Sequence, residues 1–467
     1  MGSEWQEVLL GEACESIQTG PFGSQLHQSD YVAEGIPSIM PVNISDNRIT
    51  TDGIARITEA DAQRLSKYLV KTGDVVYSRR GDVERRALVR EGEDGWLCGT
   101  GCLRVRFDKK LVDSEYASFQ LGSPFAREWI VRHAVGATMP NLNTSILSAL
   151  PFILPPLPEQ KAIAYILGSL DDKIELNRRM NATLEGLAQA LFQSWFVDFD
   201  PVLDNALAAG NPIPDELTDR AAVRRQALDN GTANRKAAQH FPATFQFTEE
   251  LGWIPEGWEI SCVGNHVSLQ RGKTYKSSLK GLPGPYLLGL GAIQRNGGFK
   301  EDKLITYGGD SPDNITLEPG DIFVSLKDLT QAADLLGSVA RIPPHIPSGR
   351  LTQDTVKLVF DKRPISTDYI YNSLLTPRYR TYCKDYSTGT TNLGLAREDF
   401  FSYPFAKPTD LIQSTYESFV QSTKLKHQSN TAEEKTLTNL RDTLLPQLIS
   451  GELRIPDAAE LAEDALA

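Results

Sequence analysis

Two short segments of this chain carry side chains suited to binding nucleic acid. Residues 79–90 contain five arginines against two acids, a net charge of +3, and residues 270–280 contain four basic residues and no acid, a net charge of +4. Arginine can donate two hydrogen bonds to guanine, asparagine and glutamine can pair with adenine, and lysine mainly neutralises phosphate. An ordinary solvated surface is the alternative for one segment, but the presence of a basic segment in each half of the chain favours binding. The candidate residues are Arg79, Arg80, Arg85, Arg86, Gln270, Arg271, Lys273, Tyr275, Lys276, Gln294, Arg295, Asn296 and Lys327.

Motifs for catalysis are absent from the sequence. Gly272-Lys273-Thr274 resembles the end of a phosphate-binding loop, but Val267 stands where that loop needs a glycine. Asp171-Asp172-Lys173 and Glu301-Asp302-Lys303 match only half of a nuclease site and are more typical of a solvated surface. The sequence has no HExxH, no GxSxG and no Asn/Asp-Pro-Pro-aromatic motif, and its six histidines show no ligand spacing. These observations predict a chain with no catalytic residues, no metal and no cofactor of its own.

Composition indicates a globular protein of several domains. The chain has 467 residues, 40% of them hydrophobic and 23% charged, and a net charge of −12. That charge argues against a purely electrostatic nucleic-acid binder, although local basic patches are compatible with it. Apolar runs are too short for a membrane helix, and the N-terminus lacks a signal-peptide core. Five scattered cysteines predict neither a disulfide framework nor a zinc site, so we expect a cytoplasmic protein.

An internal repeat organises the whole chain. At an offset of 253 residues the matching pairs are Trp5 with Trp258, Tyr116 with Tyr369, Gly136 with Gly389, Pro151-Phe152 with Pro404-Phe405, and Gln160 with Gln413. The register slips in the middle, where Gly73-Asp74 corresponds to Gly320-Asp321 at an offset of 247. Because the ends of the two repeats match while their middle parts differ, the repeat predicts a common scaffold that holds different middle segments.

The first part of each repeat, residues 1–156 and 251–408, mixes strand and turn signals. Val75-Val76-Tyr77 and Ile322-Phe323-Val324 are short β-rich runs that follow Gly-Asp turns. Residues 103–107 alternate with period two, which predicts a half-buried strand, and residues 116–133 predict one helix. The sequence therefore predicts two domains of the α/β (α+β) class.

The second part of each repeat, residues 157–197 and 409–451, predicts a long helix. Apolar residues at heptad spacing form a seam with asparagines at its middle, and Pro446 predicts a kink near the end of the second helix. Two equivalent helices can pair antiparallel about a pseudo-two-fold axis; the alternative is that each packs on its own domain. The predicted pairing residues are Leu170, Ile174, Asn177, Leu184, Leu191, Asn430, Leu437 and Leu444.

Asn177 and Asn430 are equivalent in the repeat and lie at the midpoints of the two predicted helices. In an antiparallel pair, equivalent residues meet only where the two-fold axis crosses, so we expect these amides to approach each other; exposure of both amides is the alternative. Residues 198–250 are predicted to link the two repeats, and residues 452–467 are predicted to form an acidic tail.

Several segments of the chain follow a pattern typical of one known family. They are residues 154–160, 170–181, 191–201 and 444–453, with Gly73-Asp74-Val75-Val76 and Gly320-Asp321-Ile322-Phe323. Through them, nearly the whole chain resembles the specificity subunit of type I restriction–modification systems. The second repeat departs from the pattern, because Thr409-Asp410-Leu411-Ile412-Gln413 retains only the glutamine of the first repeat's Pro158-Glu159-Gln160. Contacts made by that turn are therefore expected to differ between the halves.

The resemblance implies two target-recognition domains that each read one half of a split sequence in double-stranded DNA. It implies that the two helices form a coiled-coil spacer and that two modification subunits, which bind S-adenosylmethionine, methylate adenine. Restriction subunits would add translocation and cleavage driven by ATP with magnesium. The chain itself would be non-catalytic. Two other classes stay open at this point: a free-standing methyltransferase or nuclease with tandem recognition domains, and a helical scaffold unrelated to DNA.

Overall fold

The computed structural model describes residues 5–45, 47–136, 139–302, 304–360 and 365–466. Residues 1–4 of the first predicted domain and Lys303 of the second nuclease-like triplet lie outside the described residues. The chain divides into two compact units, the first made of Met1–Arg179 with Asn430–Ala467 and the second of Met180–Ser429. Each unit therefore contains one recognition domain of the repeat and segments of both long helices.

Short strands build the first unit. One four-stranded antiparallel sheet has the strand order Cys14–Thr19, Cys102–Phe107, Val75–Ser78 and Arg86–Leu88. A second sheet has the order Leu97–Cys98, Ile36–Ile39, Ala55–Ile57 and Tyr31–Val32. Two-stranded pairs join Gln6–Leu9 to Pro151–Leu154 and Ile44–Ser45 to Arg48–Ile49. The predicted strand at 75–77 is confirmed.

The strand at 103–107 is present but not half-buried. Its apolar face, with Leu103 and Val105, enters the core, and its polar face is covered as well. Arg104 is buried there because its guanidinium donates hydrogen bonds to the carbonyls of Lys67 and Leu69 at 3.1 and 2.8 Å. Hydrogen-bonded burial of an arginine, which the alternating pattern cannot reveal, explains the difference.

The helices of the first recognition domain are Glu59–Arg64, Ser114–Leu121, Pro124–His133 and Thr144–Ser148. The single helix predicted over 116–133 is therefore wrong, since it is two helices separated at Gly122 and Ser123. The Ser123 side chain caps the second helix by accepting a hydrogen bond from the backbone N–H of Ala126, and Pro124 follows at its first position. Serine and proline in this order favour a new helix start.

The second unit repeats this architecture. Its four-stranded antiparallel sheet has the order Val267–Arg271, Val356–Phe360, Ile322–Val324 and Val339–Arg341. Three-stranded sheets have the orders Tyr286–Leu288, Gly349–Leu351, Thr316–Leu317 and Lys327–Asp328, Leu393–Leu395, Ser387–Thr388. Two-stranded pairs join Glu259–Cys262 to Pro404–Lys407 and Phe245–Thr248 to Gly252–Pro255. The helices of the second recognition domain are Thr367–Ser373, Pro377–Asp385 and Arg397–Ser402. The predicted strand at 322–324 is confirmed.

The structure reproduces the repeat at the level of single hydrogen bonds. The strand pair that closes each domain has the same register, Gln6 opposite Leu154 and Glu259 opposite Lys407, both shifted by 253 residues. Buried tyrosine hydroxyls donate to equivalent carbonyls, Tyr116 to Ile153 and Tyr369 to Ala406. One scaffold therefore underlies both domains.

The Gly-Asp turns are also equivalent despite the shifted register. Gly73 and Gly320 have φ angles of +91° and +92°, a backbone conformation that favours glycine. The aspartate that follows accepts a hydrogen bond from a backbone N–H three residues earlier, at 2.8 Å in the first domain and 2.9 Å in the second. A basic residue of the neighbouring strand pairs with each carboxylate, Arg106 at 2.6 Å and Lys357 at 2.5 Å.

The residues between the repeats fold into helices Asp200–Ala209, Thr218–Asp229 and Arg235–Ala238 in the second unit. The segment predicted as a linker thus contains buried side chains. Asp200 and Asp204 are buried, and they form ion pairs with Arg220 at 2.7 Å and Arg224 at 2.6 Å, respectively. The stretch to Ala238 contains the last of these helices.

Two long helices carry the predicted seam. The central helix spans Leu157–Phe192 and continues as a π-helix over Gln193–Val197, and the C-terminal helix spans Asp410–Ser450. The helix is not broken at Pro446, because it continues through that residue, and a kink there stays a prediction. Pro446 lies on the exposed side between buried leucines, so solvent can hydrate the backbone carbonyl that loses its partner while the buried side holds the helix.

Within the first unit, the two helix segments run antiparallel. Asp171 pairs with Arg441 at 2.6 Å, and about two turns further along the central helix Arg178 lies opposite Glu434 at 2.7 Å, as expected for antiparallel helices. Within the second unit, Glu185 contacts His427 at 3.1 Å, and the ring of Phe192 lies 6.0 Å from that of Tyr416, in the same antiparallel order. Seam residues that are buried are Ile163, Leu167, Leu170, Ile174, Asn177, Asn181, Trp195, Leu437, Leu444 and Leu448, and Leu184 and Leu191 are half-buried.

Both central asparagines are buried, Asn177 at 2% and Asn430 at 0% exposure, so the alternative in which both are exposed is wrong. Asn177 donates a hydrogen bond at 3.0 Å to Glu433, one helical turn from Asn430. A direct contact between the two amides stays a prediction.

The segment predicted as an acidic tail contains a helix, Ile455–Leu466, whose Ala458 and Ala462 are buried in the core of the first unit. None of the helices in the described residues is both long enough and apolar enough to cross a membrane.

Candidate nucleic-acid interface

The first basic segment forms a hairpin loop between strands Val75–Ser78 and Arg86–Leu88. Arg80 is exposed, and no acidic side chain of the described residues pairs with it. Arg79 is half-buried, and its guanidinium lies 5.9 Å from the centre of the Phe22 ring. The loop is fixed at its base because Ser78 donates a side-chain hydrogen bond to the Arg80 carbonyl at 3.0 Å.

Two further arginines of this segment, Arg85 and Arg86, make contacts within the domain. Arg85 is exposed and pairs with Asp82 at 2.5 Å. Arg86 is half-buried, and its Nε donates to the carbonyl of Ser118 at 2.8 Å. Since Arg86 supports a helix of its own domain, Arg79, Arg80 and Arg85 are better placed for an external ligand.

The second basic segment follows strand Val267–Arg271 and forms a different loop, residues 272–276. Arg271, Lys273 and Lys276 are exposed, and Gln270 and Tyr275 are half-buried. The buried side chain of Arg350, 3% exposed, holds this loop from below by donating to the carbonyls of Lys273 and Thr274 at 3.3 and 3.0 Å. The loop therefore presents its lysines on a fixed backbone.

Lys327 is the structural counterpart of Arg80. It lies in the hairpin loop between strands Ile322–Val324 and Val339–Arg341, which are equivalent to the strands around Arg80. Ser325 donates its side-chain hydrogen bond to the Lys327 carbonyl at 2.6 Å, as Ser78 does to Arg80. Lys327 is exposed, with Asp354 at 3.8 Å. Each domain thus carries one basic residue at the same position of the same hairpin.

The third group, Gln294, Arg295 and Asn296, forms the exposed tip of another hairpin. Asn296 has a φ angle of +64°, and its N–H donates to the carbonyl of Asp334 at 2.7 Å. Asp334 belongs to the same loop as Lys327, so this tip neighbours the Lys327 hairpin.

The structure brings the second-domain candidates together on one connected surface. Arg271 donates to the carbonyl of Gln353 at 3.3 Å, and Lys327 faces Asp354, so the turn at 352–355 joins them. The two basic segments, however, are not equivalent in the repeat. Segment 270–280 corresponds to residues near 20–26, because Gly20 and Gly272 donate to the equivalent carbonyls of Cys102 and Thr355. Both glycines touch backbone so closely that a Cβ could not fit.

Three residues that contribute to the candidate interface were not identified from the sequence. Arg350 resembles any other basic residue until its burial is known, and Lys280, whose Nζ lies 4.7 Å above the Tyr275 ring, was counted only in the segment charge. Phe22 carried no signal, because an exposed aromatic cannot be told from a core residue in one sequence. Among the described residues, no group of His, Cys, Asp and Glu is arranged to hold a metal ion.

In each unit, ion pairs join the recognition domain to the long-helix segments. The helix position that is basic in the second repeat is acidic in the first. In the second unit, buried Asp368 pairs with Arg341 and with Lys424 of the C-terminal helix. Burial alone would raise the pKa of Asp368, but the charges of Arg341 and Lys424 outweigh it and hold the pKa below its ordinary value. In the first unit, the position of Lys424 is taken by Asp171, which lies 3.9 Å from Arg48 of the recognition domain and pairs with Arg441 of the C-terminal helix at 2.6 Å.

The comparisons with known proteins agree with this architecture. The family model "Type I restriction modification DNA specificity domain" matches residues 2–186. The HindI specificity subunit of Haemophilus influenzae is 27% identical over 487 residues, which cover 97% of this chain and 100% of that one. Residues 2–186 thus match the type I DNA specificity domain, and nearly the whole chain is similar to a type I restriction–modification specificity subunit.

A second relative and a solved structure extend the likeness. The MjaIX specificity subunit of Methanocaldococcus jannaschii is 26% identical over 198 residues, 42% of this chain and 45% of that one. The crystal structure of the S subunit of the type I restriction–modification system from M. genitalium has a TM-score of 0.53 at 16% identity and covers 95% of this chain and 96% of that chain. At that identity the likeness shows a shared fold.

Proposed function

We propose that this chain is the DNA-reading subunit of a type I restriction–modification enzyme and that each recognition domain reads one half of a bipartite target. The observation that carries the proposal is the repeat itself. The two domains share the four-stranded sheet order, the register of the closing strand pair and the tyrosine hydrogen bonds, while their loops differ in length and charge. A pair of equal scaffolds with unequal loops suits a target of two unlike halves.

The loops supply both kinds of contact that DNA recognition needs. Exposed lysines at 273 and 276 suit phosphate, and Arg80, Arg295 and Asn296 have the donor groups that can read base edges. Because their loops are fixed by internal hydrogen bonds, little conformational freedom is lost on binding.

The chemistry then belongs to partner subunits. We expect two modification subunits to dock on the paired helices and to bind S-adenosylmethionine, and restriction subunits to bind ATP and magnesium. This chain would bind no cofactor, catalyse no reaction and set the spacing of the two half-sites. A DNA ligand and five free cysteines favour the cytoplasm.

Domain exchange tests the proposal directly. Residues 251–408 are replaced by the equivalent segment of a relative, and the methylated adenines are mapped in a host that carries the chain with its modification subunits. We expect one half of the methylated motif to change while the other half and the gap stay the same. A change in both halves, or methylation by the purified chain alone, contradicts the proposal.

The equivalent hairpins give a second test. Arg80→Ala and Lys327→Ala should each weaken binding, and a lost phosphate contact should reduce the slope of log affinity against log salt by about one. If Arg80 instead reads a base, its loss should cost about 1–3 kcal/mol and relax one position of the motif. Binding measured between 50 and 200 mM salt decides between them, and Arg132→Ala, an exposed arginine paired at 3.0 Å with Glu128, serves as the control. Unchanged affinity and slope in both variants would show that these are only solvated residues.

A further inference from the structure

The loop of residues 20–26 presents an exposed aromatic ring in the first recognition domain. Phe22 is 55% exposed at the tip of this loop, which occupies the position of the basic loop 272–276 in the second domain. An exposed phenylalanine costs solvation free energy unless something covers it. The same place in the scaffold therefore carries an apolar group in one domain and lysines in the other.

The loop holds Phe22 rigidly. Gln25 accepts a hydrogen bond from the Phe22 N–H at 3.2 Å and another from the Tyr68 hydroxyl at 2.8 Å. Leu26 is buried behind the tip, and Thr100 donates to the carbonyl of Pro21 at 3.1 Å. A ring fixed in this way makes contacts without loss of backbone freedom, which is typical of a recognition residue rather than of a loosely exposed side chain.

The surroundings of Phe22 point to DNA as the occupant. The Arg79 guanidinium lies over one side of the ring, and Arg80 follows it on the adjoining hairpin. Met139, also exposed, lies beside that hairpin because the carbonyl of the next residue, Pro140, accepts a hydrogen bond from Gly81. Arginines around an apolar ring are complementary to duplex DNA. In the duplex, phosphates flank a groove in which apolar groups of the bases, such as the thymine methyl group, are accessible.

We propose that Phe22 is a specificity-determining residue that contacts the C5-methyl group of a thymine in the half-site read by the first domain. Because Arg79 covers one side of the ring and about half of the side chain is shielded, Phe22 offers a single apolar side. That suits contact with a methyl group, whereas a side chain inserted as a wedge between base pairs is enclosed by bases on both sides. This inference rests on the proposed function.

The test removes the methyl group from the DNA and the ring from the protein. The complex with modification subunits is titrated with duplexes that carry the mapped motif, in which each thymine of the first half-site is replaced in turn by deoxyuridine. For the unaltered protein we expect about fourfold weaker binding at one position, as for loss of one buried methyl group. Phe22→Ala should bind the thymine duplex about tenfold more weakly and show no further loss with deoxyuridine there.

Two further variants complete the design. Phe22→Leu keeps an apolar side chain and should keep the sensitivity to deoxyuridine, whereas Phe247→Ala, which removes a similarly exposed ring from the second unit, should change nothing. Equal sensitivity to deoxyuridine in the unaltered protein and Phe22→Ala overturns the inference, as does weaker binding of Phe22→Ala to all sequences alike. Failure of the unaltered complex to prefer the mapped motif would instead overturn the proposed function.

Discussion

Asp368→Ala is expected to lower the free energy of unfolding of the second unit by about 3 kcal/mol. Asp368 is 4% exposed, and its carboxylate accepts hydrogen bonds from Arg341 and, at 2.6 and 2.8 Å, from Lys424. Removing it leaves two cations facing each other near the C-terminal helix without their shared counter-charge. The urea midpoint at neutral pH measures the loss.

The pH dependence of this effect has a defined sign. Because the folded-state pKa of Asp368 is lowered, its contribution is fully present above the unfolded pKa of about 3.9 and is lost as pH falls through the folded pKa. The difference in stability between the unaltered protein and Asp368→Ala should therefore be constant above about pH 5 and shrink in more acidic solution.

Two controls separate charge from general damage. Asp368→Asn keeps the shape and should lose less than Asp368→Ala. Glu398→Ala changes an exposed acid of the same unit and should stay within about 0.5 kcal/mol of the unaltered protein. A loss for Asp368→Ala no larger than that for Glu398→Ala would show that the ion pairs contribute nothing.

Much of the scaffold was predictable because its constraints are repeated in the sequence. Residues such as Tyr116 and Tyr369 must donate to equivalent carbonyls, so their spacing is conserved between the halves and gives the constant offset of 253. The helical seam was predictable for a similar reason, since burial on one side requires apolar residues at heptad spacing.

The candidate site was less predictable, because its geometry depends on contacts distant in sequence. Arg80 and Lys327 are equivalent, but the offset of 247 in that region and a longer second loop hide the match. Arg350 acts through the carbonyls of a loop about 75 residues earlier, and Phe22 matters only because its loop is held in place. The residue types alone identified the basic groups, whereas their positions on the surface depend on the fold.

A one-heptad insertion in each long helix is expected to lengthen the gap of the DNA motif by about three base pairs. Seven residues add about 10 Å of helix, and base pairs are spaced about 3.4 Å apart. The insertions follow Arg179 and precede Asn430, at the limits of the two compact units, so the ion pairs within each unit keep their register. Seven residues also change the helical phase by only about 20°, which keeps the seam aligned.

The rotation of a half-site about the DNA axis predicts different activities for insertions of different length. Three added base pairs turn a half-site by about 100° around the DNA axis, whereas the helix insertion turns its domain by only about 20°. Because the domain no longer faces its half-site, we expect the one-heptad variant to methylate its longer motif weakly. Three heptads add about 32 Å, close to one turn of DNA, and should move the gap by about nine base pairs with activity better preserved. Seven residues inserted at Gly231, in an exposed turn between the repeats, should leave the motif unchanged. If both helix variants kept the original gap, the paired helices would not set the distance between half-sites, and the linker or the partner subunits would have to do so.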